Sequence, residues 1–261
     1  MNKLFDLKPL VIAALHLPVY PRGNMPSMAQ IEDYALQNMA TFSAGGMPAV
    51  ILQDETPSPE RARPETLTMM ASLGRLIKKE FPNIELGIII EAHDPVAALA
   101  VAFACGASFV RIKVFVGSML KSSGIQMGCG IEASQYRHLL NHEDLQILAD
   151  VYDRTGSPIG DVPIEKASRW AANTGANGLV LTGSSFSDSL QIIQNVRNNG
   201  VKMPLILGGS ATADNVGEVL KVADGVIVSS ALKRKNIQPG EILQWEQEKI
   251  IRFMEAARQA V

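Results

Sequence analysis

Two charged residues interrupt an apolar run at a spacing that places them on one side of a β-strand. Arg111 and Lys113 alternate with Ile112 and Val114, and side chains two residues apart in a strand point to the same face. An amine at such a position can polarise or covalently capture a carbonyl group, and a guanidinium can hold an anionic group. The segment therefore predicts a cationic site on one face of a strand.

Acidic residues stand at the ends of other apolar runs, where they could meet these cations. These acids, each at the end of such a run or just after it, are Asp54, Glu55, Glu91 and Asp150. In one interpretation Lys113 is a Schiff-base nucleophile or an electrophile acting on a carbonyl, and Asp150 or Glu91 moves a proton. Arg111 would then orient the acid or a second anionic group. In the other interpretation the charges form salt bridges that only stabilise the core.

Two histidines also lie next to apolar runs and raise the question of a metal ion. His16 follows the first run and His93 follows the third. Neither belongs to an HxH or HExxH arrangement, so their spacing does not predict a metal site. A Mg²⁺ or Zn²⁺ ion held by Asp54, Glu91 or His16 is the alternative, and no other cofactor is predicted.

Small residues follow the last three apolar runs, at positions suited to an anion. Glycines let backbone N–H groups approach a phosphate closely, and a helix that begins after such a turn adds the positive end of its dipole. The segments 208–215 and 228–233 both predict a strand end, a turn and a helix start. These residue types are also ordinary in turns between strand and helix. A substrate phosphate is expected at Gly183, Ser184, Gly208, Gly209, Ser229 and Ser230.

The candidate residues share one location in the fold that the apolar pattern predicts. About eight short β-branched or aliphatic runs alternate with helical patterns, which is typical of a parallel sheet. That number in 261 residues favours a closed (β/α)₈ TIM barrel of the phosphate-binding type, whose active-site loops follow the strand ends. The runs are 10–15, 49–53, 86–91, 109–114, 146–150, 178–182, 204–208 and 225–229.

Helix signals between the runs support this alternation. Asp94 and Pro95 indicate an N-cap and a first-turn proline, with Gly106 at the end of the same helix. The last helical pattern, 242–257, is expected to close the barrel. Its buried side is predicted to hold Trp245, Ile250 and Phe253. The other helical stretches are 31–42, 66–81, 163–173 and 187–196.

Two connections are longer than the rest and lack a regular period. They are 18–28 and 117–130, and the second holds several glycines. Loops of this length in a compact domain are usually functional loops or lids, although surface insertions are also tolerated. Both are expected on the catalytic rim of the barrel.

The bulk composition limits the class of protein. A length of 261 residues and a hydrophobic fraction of 47% fit a single domain spanning residues 1–261. The net charge of -2 gives no basic surface for nucleic acid, and no apolar run approaches the ~18 residues of a membrane span. A cytoplasmic protein without membrane insertion is expected, with a small phosphorylated metabolite as its partner. Association into a homo-oligomer stays open.

The two cysteines do not indicate a disulfide framework in a chain of this length. Cys105 lies in an alanine-rich helical pattern and is predicted to be a core residue. Cys129 lies in a glycine-rich loop, where a reactive thiol is the alternative to a structural role. His138 and His142 belong to a polar pattern and are predicted to face solvent.

Several phrases of the sequence resemble the BtpA/SgcQ family. They run in order over nearly the whole chain, and their joint order is more specific than any single phrase. They are LHLP (15–18), the glycine pair 45–46, ASFVRI (107–112), ILADV (147–151), LTGS (181–184), ADGVIV (223–228) and SALKR (230–234). The resemblance implies a TIM barrel. The family takes its name from a photosystem I biogenesis factor, and other members occur in bacterial sugar-utilisation gene clusters and look like phosphosugar enzymes.

The chain departs from this family pattern at the rim. Segment 53–57 replaces a phrase resembling Asn-Phe-Gly-Asp, Ile89 and Lys113 stand where asparagine is common, and Tyr152 stands where histidine is usual. Because the scaffold phrases are retained, these changes suit a different substrate on the same phosphate anchor. The predicted function is a phosphosugar-type aldolase, lyase or isomerase. The alternatives are a metal-assisted enzyme on the same barrel and a non-catalytic assembly or regulatory scaffold.

Overall fold

The chain forms a closed barrel of parallel strands. The computed structural model describes residues 4–18, 26–56, 61–238 and 240–260. In those ranges the strands are β1 (Leu10–His16), β2 (Ala49–Gln53), β3 (Glu85–Ile89), β4 (Phe109–Ile112), β5 (Ser118–Lys121), β6 (Gly124–Met127), β7 (Gln146–Asp150), β8 (Ser157–Pro158), β9 (Gly178–Leu181), β10 (Leu205–Leu207) and β11 (Gly225–Val228). The barrel order is β1-β2-β3-β4-β7-β9-β10-β11, with β11 pairing back to β1. The predicted TIM barrel is confirmed.

Helices cover the outside of the barrel. Over the described ranges they are α1 (Met28–Ala44), α2 (Pro64–Glu80), α3 (Pro95–Cys105), α4 (Gly130–Leu139), α5 (Ile164–Asn173), α6 (Phe186–Asn198), α7 (Val216–Val219) and α8 (Gln247–Arg258). The signals for α3 are confirmed, because Asp94 accepts a hydrogen bond from the Ala97 N–H at 3.0 Å and Gly106 ends the helix with a φ of 75°. None of the helices so described is long and apolar enough to cross a membrane.

Apolar side chains fill the barrel interior because every second strand residue points inward. On β1 these residues are Leu10, Ile12 and Ala14. At the amino-terminal end of the barrel, the 3₁₀ turn η1 (Leu4–Asp6) packs against the strands and places Phe5 beside Gly178. Other strands supply the rest of this inner cluster, which contains Ala49, Ile51, Ile89, Phe109, Leu148, Val180, Ile206 and Ile227.

The same alternation carries polar side chains to the carboxyl-terminal end of the barrel. On β2, Ala49 and Ile51 belong to the inner cluster and Gln53 continues the inward series. On β4, Phe109 is followed in the same phase by Arg111 and then by Lys113. The inward positions above the apolar layer line one cavity, and they include His16, Gln53, Glu91, Arg111, Asp150, Thr182, Gly208 and Ser229.

The segments after β10 and β11 differ from the predicted helix starts. Residues 213–215 form a turn, and α7 begins only at Val216 and has four residues. After β11 a single 3₁₀ turn, η2 (Ser230–Leu232), replaces the predicted helix. The dipole of so short a helix is small, so any anion here depends on individual backbone N–H groups.

The helix that closes the barrel also begins later than predicted. Residues 242–246 are not helical, because the segment is held beside η2 through the bridge between Lys233 and Trp245. The helix proper is α8, starting at Gln247. The predicted burial is confirmed, since Ile250 and Phe253 on α8 are fully buried, and so is Trp245 in the segment just before the helix.

The long connection 117–130 contains regular structure that the sequence pattern did not show. Strands β5 and β6 form an antiparallel hairpin, and β8 adds a third strand to it. Strands of four residues are too short to display a period, and β8 comes from a distant part of the chain. The result is a small sheet above the β4 and β7 ends of the barrel. Most of the other predicted loop, 18–28, lies outside the described residues.

Candidate active site

A cavity of about 450 Å³ opens at the carboxyl-terminal ends of the barrel strands. This is the end at which TIM barrels carry their catalytic loops. The cavity brings together most of the residues that the sequence indicated for chemistry: His16, Glu91, Arg111, Lys113, Asp150, Gly208, Gly209, Ser229 and Ser230. It also contains Glu55, one of the acids expected near the two cations, and three residues whose roles the sequence did not indicate, Gln53, Arg154 and Lys233.

Arg111 and Asp150 form a buried two-point ion pair at the base of this cavity. Nε and Nη2 of Arg111 each donate to one carboxylate oxygen of Asp150, both at 3.0 Å. The Asp150 side chain is only 4% exposed. Burial alone would lower the pKa of Arg111, but the adjacent Asp150 charge outweighs it and the pKa is raised. Because both carboxylate oxygens of Asp150 already accept hydrogen bonds from Arg111, the geometry favours a positioning role for Asp150 over proton transfer, and both roles were open from the sequence.

Lys113 and Glu91 form a second pair that faces the open part of the cavity. Nζ of Lys113 donates to Oε2 of Glu91 at 2.7 Å, and the side chains are 18% and 30% exposed. The second oxygen of Glu91 has no hydrogen-bond donor among the described residues. A carboxylate and an ammonium group side by side can accept and donate protons at neighbouring substrate atoms.

The backbone directly after Lys113 is strained. Val114 has a φ of 48°, in the left-handed region that a β-branched residue rarely adopts. Its carbonyl accepts a hydrogen bond from the Cys129 N–H at 3.2 Å, so contacts with the far end of the hairpin connection hold this conformation. Strain of this kind persists where the surrounding structure enforces it and is common at functional sites. Here it sets the direction in which the chain leaves Lys113.

His16 lies at the rim between the cavity and the end of β1. Its Nδ1 is 3.3 Å from Oε1 of Glu55. Burial, together with the charges of Lys233, Arg111 and Lys113, lowers the pKa of His16 to about 4. The imidazole is therefore neutral at pH 7, where one ring nitrogen can donate a hydrogen bond and the other can accept one.

The lowered pKa of His16 predicts a pH effect on stability. The unfolded chain takes up a proton near pH 6.5 and the folded chain only near pH 4, so the free energy of unfolding should fall as the pH drops between these values. Replacing His16 by glutamine should reduce this dependence. NMR titration of labelled histidine checks the cause directly, and a His16 signal that titrates near pH 6.5 in the folded protein would contradict it.

An ion pair fastens the small sheet to the loop that follows β7. Lys121 on β5 donates to Asp153, and the two side chains are 12% and 4% exposed. The other oxygen of Asp153 accepts hydrogen bonds from the N–H and hydroxyl of Thr155. Burial would raise the pKa of Asp153, but these bonds and nearby positive charges lower it. No sequence pattern indicated this pair, because its members are 32 residues apart and lie in segments without a regular period.

Two turns and one arginine bring hydrogen-bond donors together at the opposite side of the cavity. Gly209, Ser210 and Ser230 line it, and no described residue accepts a hydrogen bond from their backbone N–H groups. Ser210 has a φ of 67°, a left-handed conformation that is uncommon for a residue with a side chain. Arg154 lies close by, since a β-carbon added to Gly209 would stand 3.9 Å from its Nη1. Within the described chain, no carboxylate pairs with this guanidinium.

Gly208 and Ser229 lie in the cavity wall, where the Gly208 N–H and the Ser229 hydroxyl already have partners. The Gly208 N–H donates to the Leu181 carbonyl at 3.1 Å, and the Ser229 hydroxyl donates to the Ala14 carbonyl at 3.0 Å. The predicted N–H and hydroxyl donors at these two residues are thus used to join neighbouring strand ends. The need for glycine at position 208 is steric, because a β-carbon would overlap Oγ1 of Thr182.

Adjacent glycines should respond differently to alanine. A β-carbon at Gly208 would lie 2.8 Å from Cγ1 of Val180 besides meeting Thr182, whereas at Gly209 its nearest neighbour is the end of the Arg154 side chain. Gly208→Ala is therefore expected to destabilise the protein by about 1–3 kcal/mol, and Gly209→Ala by much less. Thermal melting of the two variants checks this, and equal melting temperatures would contradict the packing described.

Three predicted site residues lie outside the cavity lining. Asp54 is out of phase with the inward series of β2, is buried, and accepts hydrogen bonds from the Thr56 and Glu91 N–H groups. Gly183 donates its N–H to the Ser189 hydroxyl at 2.9 Å. Ser184 donates both its N–H and its hydroxyl to the carboxylate of Asp188. Asp54 therefore fixes the β2 and β3 ends, and the other two belong to the N-terminal cap of α6.

The residues that the sequence offered for a divalent cation each have another partner. Asp54 binds backbone N–H groups, Glu91 is paired with Lys113, and His16 contacts Glu55. Across the described ranges, no group of three or more metal-ligating side chains comes together. His93 likewise has another partner, because its Nε2 is 2.6 Å from the Met127 carbonyl on the hairpin.

Both cysteines are buried. Cys105 is fully buried beneath α2, which confirms its predicted core position, and burial raises its pKa to about 11. Cys129 is 8% exposed, and burial together with the negative charge of Glu132 raises its pKa to about 12. A thiol that stays protonated is a poor nucleophile. The structure therefore favours the structural role for Cys129 over the reactive thiol.

Comparison with known proteins places the chain in a family. The sequence profile of the BtpA family matches residues 7–259. The chain belongs to the BtpA family. A relative in this family, the photosystem I biogenesis protein BtpA of Synechocystis sp., is 31% identical over 233 residues, which cover 86% of this chain and 79% of that protein.

Solved structures with the same fold have low sequence identity. The 3-hexulose-6-phosphate synthase of Salmonella typhimurium superposes with a TM-score of 0.59 at 12% identity, covering 96% of this chain and 99% of that one. The N-(5'-phosphoribosyl)anthranilate isomerase of Pyrococcus furiosus superposes with a TM-score of 0.57 at 15% identity, covering 95% of this chain and 98% of that one. At such identities the likeness establishes the barrel fold alone.

Proposed function

We propose that the protein is an enzyme that acts on a small phosphorylated carbonyl compound, as an isomerase or as an aldolase or lyase. The observation that carries the proposal is the arrangement of one cavity. On one side lie the guanidinium of Arg154 and backbone N–H groups that have no acceptor within the described ranges. The pair Glu91–Lys113 also lines the cavity. The enzymes of similar fold named above act, by their names, on phosphorylated sugars.

The phosphate is assigned to the turns after β10 and β11. The N–H groups of Gly209, Ser210 and Ser230 need an acceptor, and a phosphate oxygen supplies one. Arg154 adds a positive charge and a planar pair of donors, which fit a phosphate well. This is the position at which phosphate-binding TIM barrels hold their substrate.

The proposed chemistry is proton transfer next to a carbonyl group. Glu91 removes a proton from the carbon beside the carbonyl, and the C–H electron pair forms a C=C bond while the carbonyl oxygen becomes negative. Lys113 donates a proton or hydrogen bond to that oxygen. The former carbonyl oxygen keeps a proton, and Glu91 returns its proton to the former carbonyl carbon. The hydroxyl on the neighbouring carbon loses its proton and becomes the new carbonyl, which gives the isomer.

In the aldolase or lyase variant, Glu91 instead takes the proton of a hydroxyl on the carbon next to the α-carbon. The oxygen of that hydroxyl forms a new carbonyl as the bond between the two carbons breaks, and the electron pair of that bond forms an enolate, which then takes up a proton.

A covalent variant uses Lys113 as a nucleophile. Glu91, at 2.7 Å, can take the proton that the ammonium must lose before it attacks a carbonyl. Formation of the Schiff base releases water, and borohydride then reduces the Schiff base to a stable amine. Trapping with ketose and aldose phosphates should then add mass at Lys113, and an unmodified lysine during active turnover would leave the direct proton transfer as the mechanism.

Metal analysis of protein purified without a tag tests the metal-assisted alternative.

The test of the proposed function is a panel of aldose and ketose phosphates incubated with the protein in D₂O. NMR should show conversion, or deuterium entering a carbon next to the carbonyl, for at least one compound. The matched sugars without phosphate should react far more slowly. A panel in which nothing reacts or binds would contradict the proposal.

A scaffold is the second candidate, favoured by one surface feature. Leu120, Ile125 and Met127 on the small sheet are each more than half exposed, and exposed apolar patches often bind partners. The name of the Synechocystis relative also describes a biogenesis role for that protein. If Lys113→Ala and Asp150→Asn variants fold and support the cellular role of the protein unchanged, the scaffold is the better account.

Phosphate binding should depend on Arg154. The Arg154→Ala substitution removes the guanidinium nearest Gly209. Inorganic phosphate is then expected to bind about tenfold more weakly, which is a loss of ~1.4 kcal/mol of binding free energy. Lys202→Ala is the matched control, because Lys202 is an exposed cation just before β10, at the other end of the barrel. Isothermal titration measures both. Equal affinities for the two variants would remove Arg154 from the site.

A further inference from the structure

A second cavity of about 530 Å³ adjoins the candidate active site. It lies between the end of β1 and the irregular segment before α8. The two cavities share three lining residues, His16, Glu55 and Lys233, so they are compartments of one continuous space. We refer to the second one as the side compartment.

The side compartment differs in character from the phosphate site. Leu17, Pro18, Pro26 and Ile242 give it apolar walls. Lys233 lies at the border, with its Nζ 5.2 Å from the centre of the Trp245 ring. Clefts with mostly apolar walls and a few polar groups are typical of sites for uncharged rings.

Buried hydrogen bonds fix the wall formed by residues 241–245. Asn38 is fully buried, and its amide donates to the carbonyls of Tyr34 and Ile242, both at 2.7 Å. The same amide accepts a hydrogen bond from the Gln244 N–H at 2.8 Å. The Tyr34 hydroxyl in turn donates to the His16 carbonyl at 2.9 Å. The compartment is thus built before any ligand enters, which lowers the cost of binding.

Two side-chain amides offer polar contacts inside the side compartment. Gln244 donates through Nε2 to the Glu241 carbonyl, and no described residue donates to its Oε1. Gln30 accepts through Oε1 from Ser27, and no described residue accepts from its Nε2. Among the described residues, one acceptor and one donor thus have no partner, which suits a heteroaromatic ring that carries both kinds of group.

We propose that the side compartment binds an uncharged aromatic or heteroaromatic ring that is part of the same substrate as the phosphorylated sugar. The inference rests on the proposed function, since the sugar phosphate lies in the first cavity. The substrate is then a phosphosugar bearing a ring substituent, with the bond between the two parts near His16 and Glu55. Continuity of the two compartments makes a single ligand that spans both the simplest occupant.

The probes are ribose 5-phosphate and adenosine 5'-monophosphate, which is the same phosphosugar with a heteroaromatic ring. Calorimetry should show the nucleotide binding at least about tenfold more tightly. With isoleucine methyl groups labelled for NMR, the nucleotide should shift the Ile242 signal and ribose 5-phosphate should not. Ile242→Asn should reduce the preference for the nucleotide severalfold. The control Ile131→Asn, at an exposed position on α4, should leave it unchanged.

The outcomes separate the two claims. Equal binding of both probes, with an unshifted Ile242 signal and a requirement for Arg154, would overturn the ring site and leave the phosphate site standing. Failure of both probes to bind in the millimolar range would overturn both. A nucleotide preference that Ile242→Asn leaves intact places the ring elsewhere and also overturns the inference.

Discussion

Replacing Glu91 by glutamine is expected to lower kcat about a hundredfold to ten-thousandfold, the range found when a general acid or base is removed. Glutamine keeps the shape of the side chain and can still accept a hydrogen bond from Lys113, so the local structure should persist. It cannot accept a substrate proton at neutral pH. Because the phosphate site is untouched, KM should change little.

The measurement is the rate of deuterium incorporation from D₂O, followed by NMR with the compound that reacts in the sugar phosphate panel. Glu132→Gln serves as the matched control, since Glu132 is an exposed carboxylate on α4 that pairs with Arg61 outside the cavity. Thermal melting establishes that both variants are folded. Full exchange activity in Glu91→Gln would exclude Glu91 as the base.

Removing the carboxylate of Asp150 is expected to produce the largest loss of stability. Asp150→Ala leaves the guanidinium of Arg111 buried without its partner, and breaking a buried pair on one side costs ~3–5 kcal/mol. The side chains are 4% and 15% exposed, so water cannot easily replace the lost bonds. Urea unfolding should show a lower midpoint with an unchanged slope.

Two further measurements separate the effect of burial from the effect of losing a charge: a double variant at the buried pair, and a single variant at an exposed pair. Arg111→Met combined with Asp150→Leu removes both charges and should recover much of the lost stability, because the desolvation cost disappears with the pair. At the exposed pair between Arg252 and Asp214, Asp214→Ala should change stability by no more than about 1 kcal/mol. An Asp150→Ala variant as stable as Asp214→Ala would contradict the buried, two-point geometry.

Strand alternation explains which candidate residues could be placed from the sequence. Arg111 and Lys113 were placed on one face because they alternate with apolar residues, and both line the cavity. The same rule, applied to β2, would have shown Asp54 to be out of phase with Ala49 and Ile51. Gln53 is in phase, lines the cavity, and donates to Glu55 at 2.6 Å. Its position could therefore have been found from the register of β2.

Other site residues carried no sequence signal. Arg154 is an exposed residue in the loop after β7, and only the approach of that loop to Gly209 gives it a role. The pairing of Lys121 with Asp153 depends on a hairpin whose strands are too short to show a period. Contacts of this kind are set by the path of the loops in space, and alternation along one chain segment does not encode them.

The residues in the predicted phosphate turns were identified by type, but their hydrogen bonds could not be. Glycine and serine types fit an anion site equally at 183–184, 208–210 and 229–230. In the structure the first turn caps α6, and the Gly208 N–H and the Ser229 hydroxyl join neighbouring strands. The N–H groups of Gly209, Ser210 and Ser230 have no acceptor among the described residues. Which N–H is free depends on the neighbouring strand, and so requires the assembled barrel.

The central claim is that the turns after β10 and β11 hold a phosphate in the same cavity as Glu91 and Lys113. A crystal structure of the protein grown in high inorganic phosphate tests it most directly. The account predicts an anion that accepts hydrogen bonds from the N–H groups of Gly209, Ser210 and Ser230, with the guanidinium of Arg154 beside it. Phosphate bound elsewhere on the molecule, with no anion between these turns, would contradict the account.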